Sequence, residues 1–347
     1  MFYSREIIGV LIVFIIAFIA AWAITPAFIR FLIRHKLGKS IRAEGNTPVF
    51  TALHQKKTGT PTMGGLIIWV PVLALALGFA FLAHIFSDSI FDRLNFLSRE
   101  KTWLPIGAMV IAGIIGALDD ILNIFKIGPN GGGLSVKIRL LLYTLVAVGG
   151  AWWLYYKLEW NAISIPGLGE VYLGLWYIPL FILVVVATSF SLNETDGLDG
   201  LAGGVALTSF GAYAMIAFMQ GNIELTIFIA AILGTLLAFV WYNIYPAMFF
   251  MTDTGSMALG TTLGIIAMLT DTVFILPIIA IILVIESGSV IIQTISKKYW
   301  GRKIFLSTPI HHHFEALGWP ETKVTMRFWI ISGMAAAVGL IIATVAR

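Results

Sequence analysis

Long apolar stretches, separated by short polar segments, occupy most of this chain of 347 residues. A helix needs about 20 mostly apolar residues to cross a bilayer. Hydrophobic residues make up 59% of the chain and charged residues 12%, whereas soluble domains carry roughly 25% charged residues. The excess apolar surface must face lipid, so the sequence predicts an all-α polytopic membrane protein with about ten transmembrane helices. The predicted spans are residues 7–30, 64–86, 103–118, 138–157, 173–192, 201–219, 224–242, 256–270, 274–295 and 326–345.

The borders of the later spans rest on a few polar residues. Residues 256–295 form an apolar run that is too long for one crossing, and Asp271 with Pro277 predicts a turn between two short helices. Residues 159–172 alternate around a Pro-Gly pair, which predicts a small hairpin. The first span is expected to be a retained helix rather than a cleaved signal. Because no soluble domain is indicated, residues 1–347 are interpreted as a single integral membrane domain.

The distribution of Lys and Arg predicts the orientation of these spans. Segments between spans on the cytoplasmic side carry an excess of basic residues. With both termini periplasmic, 16 of the 22 basic residues fall on the inner side, and this arrangement is therefore favoured. The predicted inner segments are residues 30–63, 119–139, 193–200, 243–255 and 296–327.

Five polar motifs also fall on the predicted inner side, and four of them contain no residue that was counted for the orientation. Acidic, amide and imidazole side chains gathered at one membrane face indicate a common site, so an active site at the cytoplasmic face is expected. The outer segments carry no comparable motif. The five motifs are HQKKTGTPTMGG at 54–65, LDD at 118–120, NETDGLDG at 193–200, FFMTDTG at 249–255 and PIHHHFE at 309–315.

Two groups of acids are candidates for binding a hard cation. Asp119 and Asp120 end the third predicted span, where a carboxylate pair either binds a cation or acts as a base, or simply marks a solvated helix end. Asn193, Asp196 and Asp199 recur every three residues and would share one face if the helix continued. The alternative for this second group is a polar turn between helices.

Further candidates stand alone or in a single tract. Asp253 follows a predicted helix and either caps the next helix or binds a metal ion. His311, His312 and His313 are consecutive, so a zinc site made of all three is not expected, whereas a loop could present one or two of them to a phosphate. Glu286 lies within a predicted span, where an acid is a functional candidate by default.

Acids and cations together at a membrane face favour phosphoryl chemistry. Mg²⁺ prefers oxygen ligands and substrate phosphates, and phosphoryl transfer depends mostly on charge stabilisation and positioning. The basic residues near the motifs, such as Lys57, could bind phosphates, although the inner excess of positive charge explains most of them. These patterns do not by themselves name a substrate.

The motifs as a set resemble those of the phospho-N-acetylmuramoyl-pentapeptide transferases, within the polyprenyl-phosphate N-acetylhexosamine-1-phosphate transferase superfamily. The resemblance covers nearly the whole chain, and the TPIHHHFEALGWPE segment is its most specific part. It implies transfer from UDP-MurNAc-pentapeptide to undecaprenyl phosphate, with Mg²⁺, in the bacterial inner membrane. It also suggests a homodimer in contact with membrane lipid, and no nucleic-acid partner is expected.

The same resemblance implies roles for individual residues. As catalytic residues it implies Asp119, Asp120, Asp253 and His311, with Asp253 as the main Mg²⁺ ligand. As substrate-binding residues it implies Lys57, Asn193, Asp196, Asp199, Asn243, Phe250, His312 and His313, with Phe250 beside the uracil ring.

The chain departs from the family pattern at several positions. Glu194 replaces the Leu of N-L-T-D-G-L-D-G, and Thr252 replaces the Gly of F-M-G-D. In the pattern G-L-S-A-R-x-K the two cations are exchanged, giving Lys137 and Arg139, and Tyr143 stands where Gln is usual. The aspartates and histidines of the motifs are intact.

Three alternatives stay open at this point. The reaction could be a single displacement by the lipid phosphate or a two-step route through a carboxylate nucleophile. A sister transferase acting on UDP-GlcNAc would carry similar acids. A secondary transporter is the rival from another class, although transporters place their polar sites near the bilayer midplane and often contain inverted repeats.

Overall fold

The protein is built almost entirely from helices. The computed structural model describes residues 2–38, 57, 59–86, 89–98, 101–129 and 132–345. Within these residues the helices are α1 (Phe2–Arg34), α2 (Leu66–Ile85), α3 (Ile90–Leu94), α4 (Trp103–Ile124), α5 (Val136–Trp152), α6 (Tyr177–Thr195), α7 (Leu201–Met219), α8 (Ile223–Asn243), α9 (Thr252–Leu269), α10 (Leu276–Ile279), α11 (Ile281–Trp300), α12 (Ile310–Ala316) and α13 (Glu321–Val345).

Eight of the described helices are long and apolar enough to cross a membrane, which confirms the all-α polytopic class. They are α1, α2, α4, α5 with its continuation to Lys157, α6 with the preceding turn, α7, α8 and α13. Helices α9 and α11 occupy the other two predicted spans but are not among the eight. Polar residues begin α9, and α11 carries Glu286, Lys297 and Lys298. The total of ten spans and their orientation stay predictions.

Helices α8 and α9 form the centre of the bundle. Every residue of α9 from Thr254 to Leu269 is buried, as expected of a helix surrounded by others. Helix α9 packs mainly on α4 and α6, and α8 packs mainly on α1. Small residues permit this packing, since a Cβ at Gly260 of α9 would lie 2.6 Å from the Cα of Ser189 in α6. The motif-bearing ends of α4, α6 and α9 are thereby brought together.

The predicted hairpin at 159–172 is confirmed. Strand β1 (Ala162–Ile165) pairs antiparallel with β2 (Gly169–Tyr172). The predicted turn near Asp271 is also present, although Pro277 lies within the short helix α10 rather than in that turn. The predicted span 274–295 is not one continuous helix, because α10 and α11 are separated at Ala280.

Candidate active site

Three aspartates meet where the last turn of α4 faces the first turn of α9. Asp119 and Asp120 are 3% and 4% exposed. A Cβ at Gly116, one turn earlier, would lie 2.2 Å from the carbonyl oxygen of Asp253, so only glycine allows the two helix ends to approach this closely. Asp253 is inside the first turn of α9 and Met251 is the cap residue, so the predicted helix-capping alternative for Asp253 is wrong.

Asp120 is held by the start of α9. Its Oδ2 accepts hydrogen bonds from Thr254 N at 3.0 Å and Thr252 Oγ1 at 2.6 Å, and also from Thr254 Oγ1. A carboxylate with several donors on one oxygen has a fixed orientation. Asp120 therefore fixes α9 relative to α4 in this structure.

Asp119 and Asp253 instead face each other. Their carboxyl groups lie within hydrogen-bonding reach. The Arg139 guanidinium lies beside both, with Nη1 3.5 Å from Asp253 Oδ1 and Nε 3.9 Å from Asp119 Oδ2. The backbone N–H of Leu134 also donates to Asp119. We name Asp119, Asp120, Asp253, Arg139 and Asn193 the aspartate cluster.

The facing carboxylates of Asp119 and Asp253 favour binding of a divalent cation. Two carboxylates at such close range repel each other unless a proton or a cation lies between them. The described residues contain no group of three or more His, Cys, Asp or Glu side chains arranged to hold a metal ion. Mg²⁺ commonly uses only one or two carboxylates and takes its other ligands from water and substrate phosphates. Asp119 and Asp253 could supply that carboxylate pair.

The motif NETDGLDG extends the aspartate cluster through a loop. Helix α6 ends at Thr195, so the condition for Asn193, Asp196 and Asp199 to share one helical face is not met, and residues 196–200 form the polar turn of the alternative. Asn193 Oδ1 accepts from Arg139 Nη1 at 3.0 Å, and its Nδ2 donates to Asp253. Asp196 Oδ2 accepts from the backbone N–H of Thr252 at 2.8 Å. The loop therefore reaches both α5 and α9.

Asp199 belongs to a second polar group. Lys57 Nζ lies 2.6 Å from Asp199 Oδ1 and 2.5 Å from Glu321 Oε1. The Lys57 ammonium also lies 5.9 Å from the centre of the Phe250 ring. Asn243 is 3% exposed and accepts from the backbone N–H of Gly200 at 3.0 Å. We name Lys57, Asp199 and Glu321 the lysine cluster.

The three histidines lie on the short helix α12 rather than on a loop, and they point in different directions. His311 is fully buried, with Nδ1 2.9 Å from Glu286 Oε2. A Cβ at Gly197 would lie 2.1 Å from His311 Nε2, so the glycine lets the imidazole approach the NETDGLDG loop. His312 Nδ1 lies 2.7 Å from Glu315 Oε2, and the ring of His313 accepts from Leu306 N at 3.2 Å. His311 is thus the histidine placed against the loop.

Comparisons with known proteins decide the family. The model of glycosyl transferase family 4 matches residues 102–271. The chain is 39% identical to the phospho-N-acetylmuramoyl-pentapeptide-transferase of Chloroflexus aurantiacus over 95% of this chain and 88% of that protein. The proteins of that name from Anoxybacillus flavithermus and Lactiplantibacillus plantarum are also 39% identical, over 94% and 93% of this chain and 95% of each relative. The chain belongs to the phospho-N-acetylmuramoyl-pentapeptide-transferase family.

Membership of the phospho-N-acetylmuramoyl-pentapeptide-transferase family confirms the predicted resemblance, and the structure accounts for two departures from its pattern. Thr252 has a φ of 56°, a conformation that favours glycine, and its hydroxyl binds Asp120. Arg139 faces the aspartate cluster, whereas Lys137 is exposed. The exchange of cations therefore keeps a positive charge at the position that contacts Asp119 and Asp253.

Sequence reasoning missed two residues of the site. Arg139 was noted among the basic residues that could bind phosphates and as one of the exchanged cations of the family pattern, but it was not assigned to the site. Glu321 belongs to the GWPE segment that carried the resemblance, but its spacing from other acids gave no sign of a contact with Lys57. Only the folded chain brings residues 57 and 321 together.

Proposed function

We propose that this chain transfers phospho-MurNAc-pentapeptide from UDP-MurNAc-pentapeptide to undecaprenyl phosphate, giving lipid I and UMP. The observation that carries the proposal is that one segment, residues 193–200 at the end of α6 and in the loop after it, contacts both the aspartate cluster and the lysine cluster. Asn193 belongs to the first cluster, Asp196 binds the backbone of Thr252 at the start of α9, and Asp199 belongs to the second cluster. Such a pair of sites suits a substrate in which a diphosphate is joined to a nucleoside.

The lysine cluster is the proposed nucleoside side of the pocket. Phe250 offers an aromatic face for the uracil ring. The Lys57 ammonium lies over the Phe250 ring. Asn243 holds the backbone of Gly200, which fixes the edge of the loop. Asp199 is fixed by Lys57 and by the backbone N–H of Ala247 at 3.0 Å. These hydrogen bonds therefore hold this side of the proposed site in one arrangement.

The aspartate cluster is the proposed phosphate side. Asp119 and Asp253 would hold Mg²⁺, which when bound offsets the charge of the diphosphate. Arg139 adds a fixed positive charge at the same place. Asp120 holds α9 in position, and His311 lies against Gly197 at the edge of the loop. His312 and His313 are proposed to bind the substrate outside its phosphate groups.

The proposed reaction is a phosphoryl transfer. An oxygen of undecaprenyl phosphate attacks the β-phosphorus of the UDP-sugar, the bond from that phosphorus to the bridging oxygen breaks, and UMP leaves. Asp119 orients the attacking phosphate or accepts its proton. If a phospho-sugar adduct could be trapped on an aspartate, the two-step route would replace the single displacement.

The proposed placement has the site on the cytoplasmic face of the bacterial inner membrane, ten spans and both termini in the periplasm. Because the natural chain contains no cysteine, single-cysteine variants can be labelled from either side without background. Residues 126 and 303 should react only from the inside, and residue 168 only from the outside. Labelling of residues 126 and 168 from the same side would contradict the placement.

The decisive experiment supplies UDP-MurNAc-pentapeptide or UDP-GlcNAc with undecaprenyl phosphate and measures UMP release, with and without Mg²⁺. Release of UMP only with the MurNAc substrate is expected, and chelation of Mg²⁺ should abolish it. Turnover with UDP-GlcNAc would favour the sister transferases. Uptake into proteoliposomes without UMP release would favour a transporter. The homodimer is checked by the mass of the purified protein.

A further inference from the structure

One face of α13 is hydrogen-bonded to the end of the NETDGLDG loop. Glu321, Thr325 and Trp329 are spaced by four residues, so their side chains lie on the same side of the helix. Glu321 Oε1 accepts from the backbone N–H of Asp199 at 2.6 Å, and Thr325 Oγ1 donates to the carbonyl of Asp199 at 3.3 Å. Trp329 Nε1 donates to the carbonyl of Gly200 at 3.1 Å. We name these three residues the α13 stripe.

Glu321 joins three separate parts of the chain. A single carboxylate oxygen, Oε1, accepts from both Lys57 Nζ and the backbone N–H of Asp199. The Glu321 side chain is 11% exposed, so these charge-assisted hydrogen bonds are shielded from water and stronger than bonds between neutral groups. Without Glu321, the Lys57 ammonium would keep only Asp199 as a described acidic partner.

Packing around Trp329 makes the stripe a fixed support. A Cβ at Gly204, in the first turn of α7, would lie 2.0 Å from the indole of Trp329. The indole therefore fills the space above a glycine in the first helical turn after the loop. The beginning of α7 cannot shift toward α13 without a clash, and the carbonyl of Gly200 is held at the indole N–H.

We propose that the α13 stripe positions the nucleoside side of the pocket by fixing Lys57 and the backbone of Asp199 and Gly200. The three side chains are positioning residues, because they act through Lys57 and the loop rather than on the reacting atoms. The proposal rests on the proposed function. The aspartate cluster is carried by α4, α5, α6 and α9, so loss of the stripe weakens nucleotide binding more than it slows the chemical step.

The test measures kcat and KM for UDP-MurNAc-pentapeptide, and the Kd of UMP by calorimetry, on the full-length protein in detergent. Glu321→Gln should raise KM and the Kd of UMP about tenfold, with kcat within about twofold of wild type. Thr325→Val and Trp329→Phe each remove one hydrogen-bond donor and should raise KM about threefold. The matched control is Thr322→Val, since Thr322 is exposed on the same helix and its loss should leave KM unchanged.

A double-mutant cycle separates positioning from general stability. If Glu321 acts through Lys57, the effect of Glu321→Gln on the Kd of UMP should be at least threefold smaller in a Lys57→Gln background. Additive effects, or a fall in kcat with unchanged KM and Kd, would overturn the proposal. If Glu321→Gln does not fold, kcat, KM and the Kd of UMP measured on Trp329→Phe and Thr325→Val test the proposal instead. Failure of the wild type to release UMP would instead refute the proposed function.

Discussion

The two ends of α9 carry one aspartate each, and their surroundings differ sharply. At one end, Asp253 faces Asp119 with Arg139 beside both. Just beyond the other end, Asp271 accepts hydrogen bonds from the backbone N–H of Ser164 at 2.8 Å and from its hydroxyl at 2.5 Å. Asp271 thus attaches the β1–β2 hairpin to the helical bundle through neutral donors.

The difference separates an acid that supports the fold from one that we propose binds Mg²⁺. The carboxylate of Asp271 is satisfied by two donors on a single residue, so nothing further is needed to stabilise it. Asp253 has another carboxylate within reach, which is unfavourable without a cation or proton. Loss of Asp253 should therefore affect activity and spare stability, and loss of Asp271 should do the reverse.

The largest expected effect is that of Asp253→Asn. The amide keeps the shape of the side chain but cannot supply a charged ligand, so turnover should fall on the order of 10³-fold in the UMP-release assay. The Tm should stay equal to or above that of the wild type, because one of two facing charges is removed. Asp271→Asn is the matched control and should keep turnover within about twofold of wild type.

The assignment of Asp253 to activity and Asp271 to stability would be wrong if Asp253→Asn retained Mg²⁺-dependent turnover, or if it lowered the Tm as much as Asp271→Ala. In either case Asp253 would be a structural acid like Asp271. The chemistry would then have to be assigned to other carboxylates of the aspartate cluster.

Gly116→Ala should have the next largest effect. Its Cβ would lie 2.2 Å from the carbonyl oxygen of Asp253, so α4 and α9 must move apart at the aspartate cluster. Overpacking of this kind costs about 1–3 kcal/mol, and the displaced carboxylates should lower turnover at least tenfold, since misplacement of about 1 Å can cost 10²-fold.

The control lies on the same helix. A Cβ at Gly107 meets nothing within 4 Å, so Gly107→Ala should leave turnover unchanged and stabilise α4 by about 0.5–1 kcal/mol. Thermal unfolding and UMP release measured on both variants test the pair. Equal behaviour of the two alanine variants would show that the approach of α4 to Asp253 is not needed for the site.

Asp271→Ala should act on stability alone. The partly buried backbone N–H of Ser164 loses its acceptor, and the cost should lie toward the lower end of the roughly 1–3 kcal/mol for a fully buried unsatisfied donor. The Tm should fall while kcat stays near the wild-type value. Ser164→Ala removes only the hydroxyl donor and should cause a smaller fall, because its backbone N–H keeps its bond to Asp271. A loss of turnover in Asp271→Ala beyond the loss of folded protein would contradict this assignment.

The apolar stretches predicted the helical class, and the alternating residues around the Pro-Gly pair predicted the hairpin, because both follow from local patterns. Whether Asn193, Asp196 and Asp199 share a helical face could not be predicted, since it depends on α6 ending at Thr195. The break at Ala280 within the predicted span 274–295 was missed for the same kind of reason. Contacts such as Lys57 with Glu321 join residues far apart in the chain, and only tertiary packing brings them together.

Arg139→Lys should have the smallest effect, and it tests whether the charge beside Asp253 distinguishes this acid from Asp271. Arg139 Nη1 donates to Asn193 and lies near Asp253, while Nε lies near Asp119. Lysine keeps the charge, and the family pattern has lysine at this position, but its single ammonium replaces a planar fork. We expect a fall in kcat of about two- to fivefold for Arg139→Lys. We expect a fall of at least fiftyfold for Arg139→Gln, because the carboxylates of Asp119 and Asp253 then face the substrate phosphates without the positive charge of Arg139.

Lys137→Gln is the control, since Lys137 is exposed and should be dispensable. If Arg139→Gln matched Arg139→Lys, the positive charge would not matter to the aspartate cluster, and the contrast with the neutral surroundings of Asp271 would lose its physical basis.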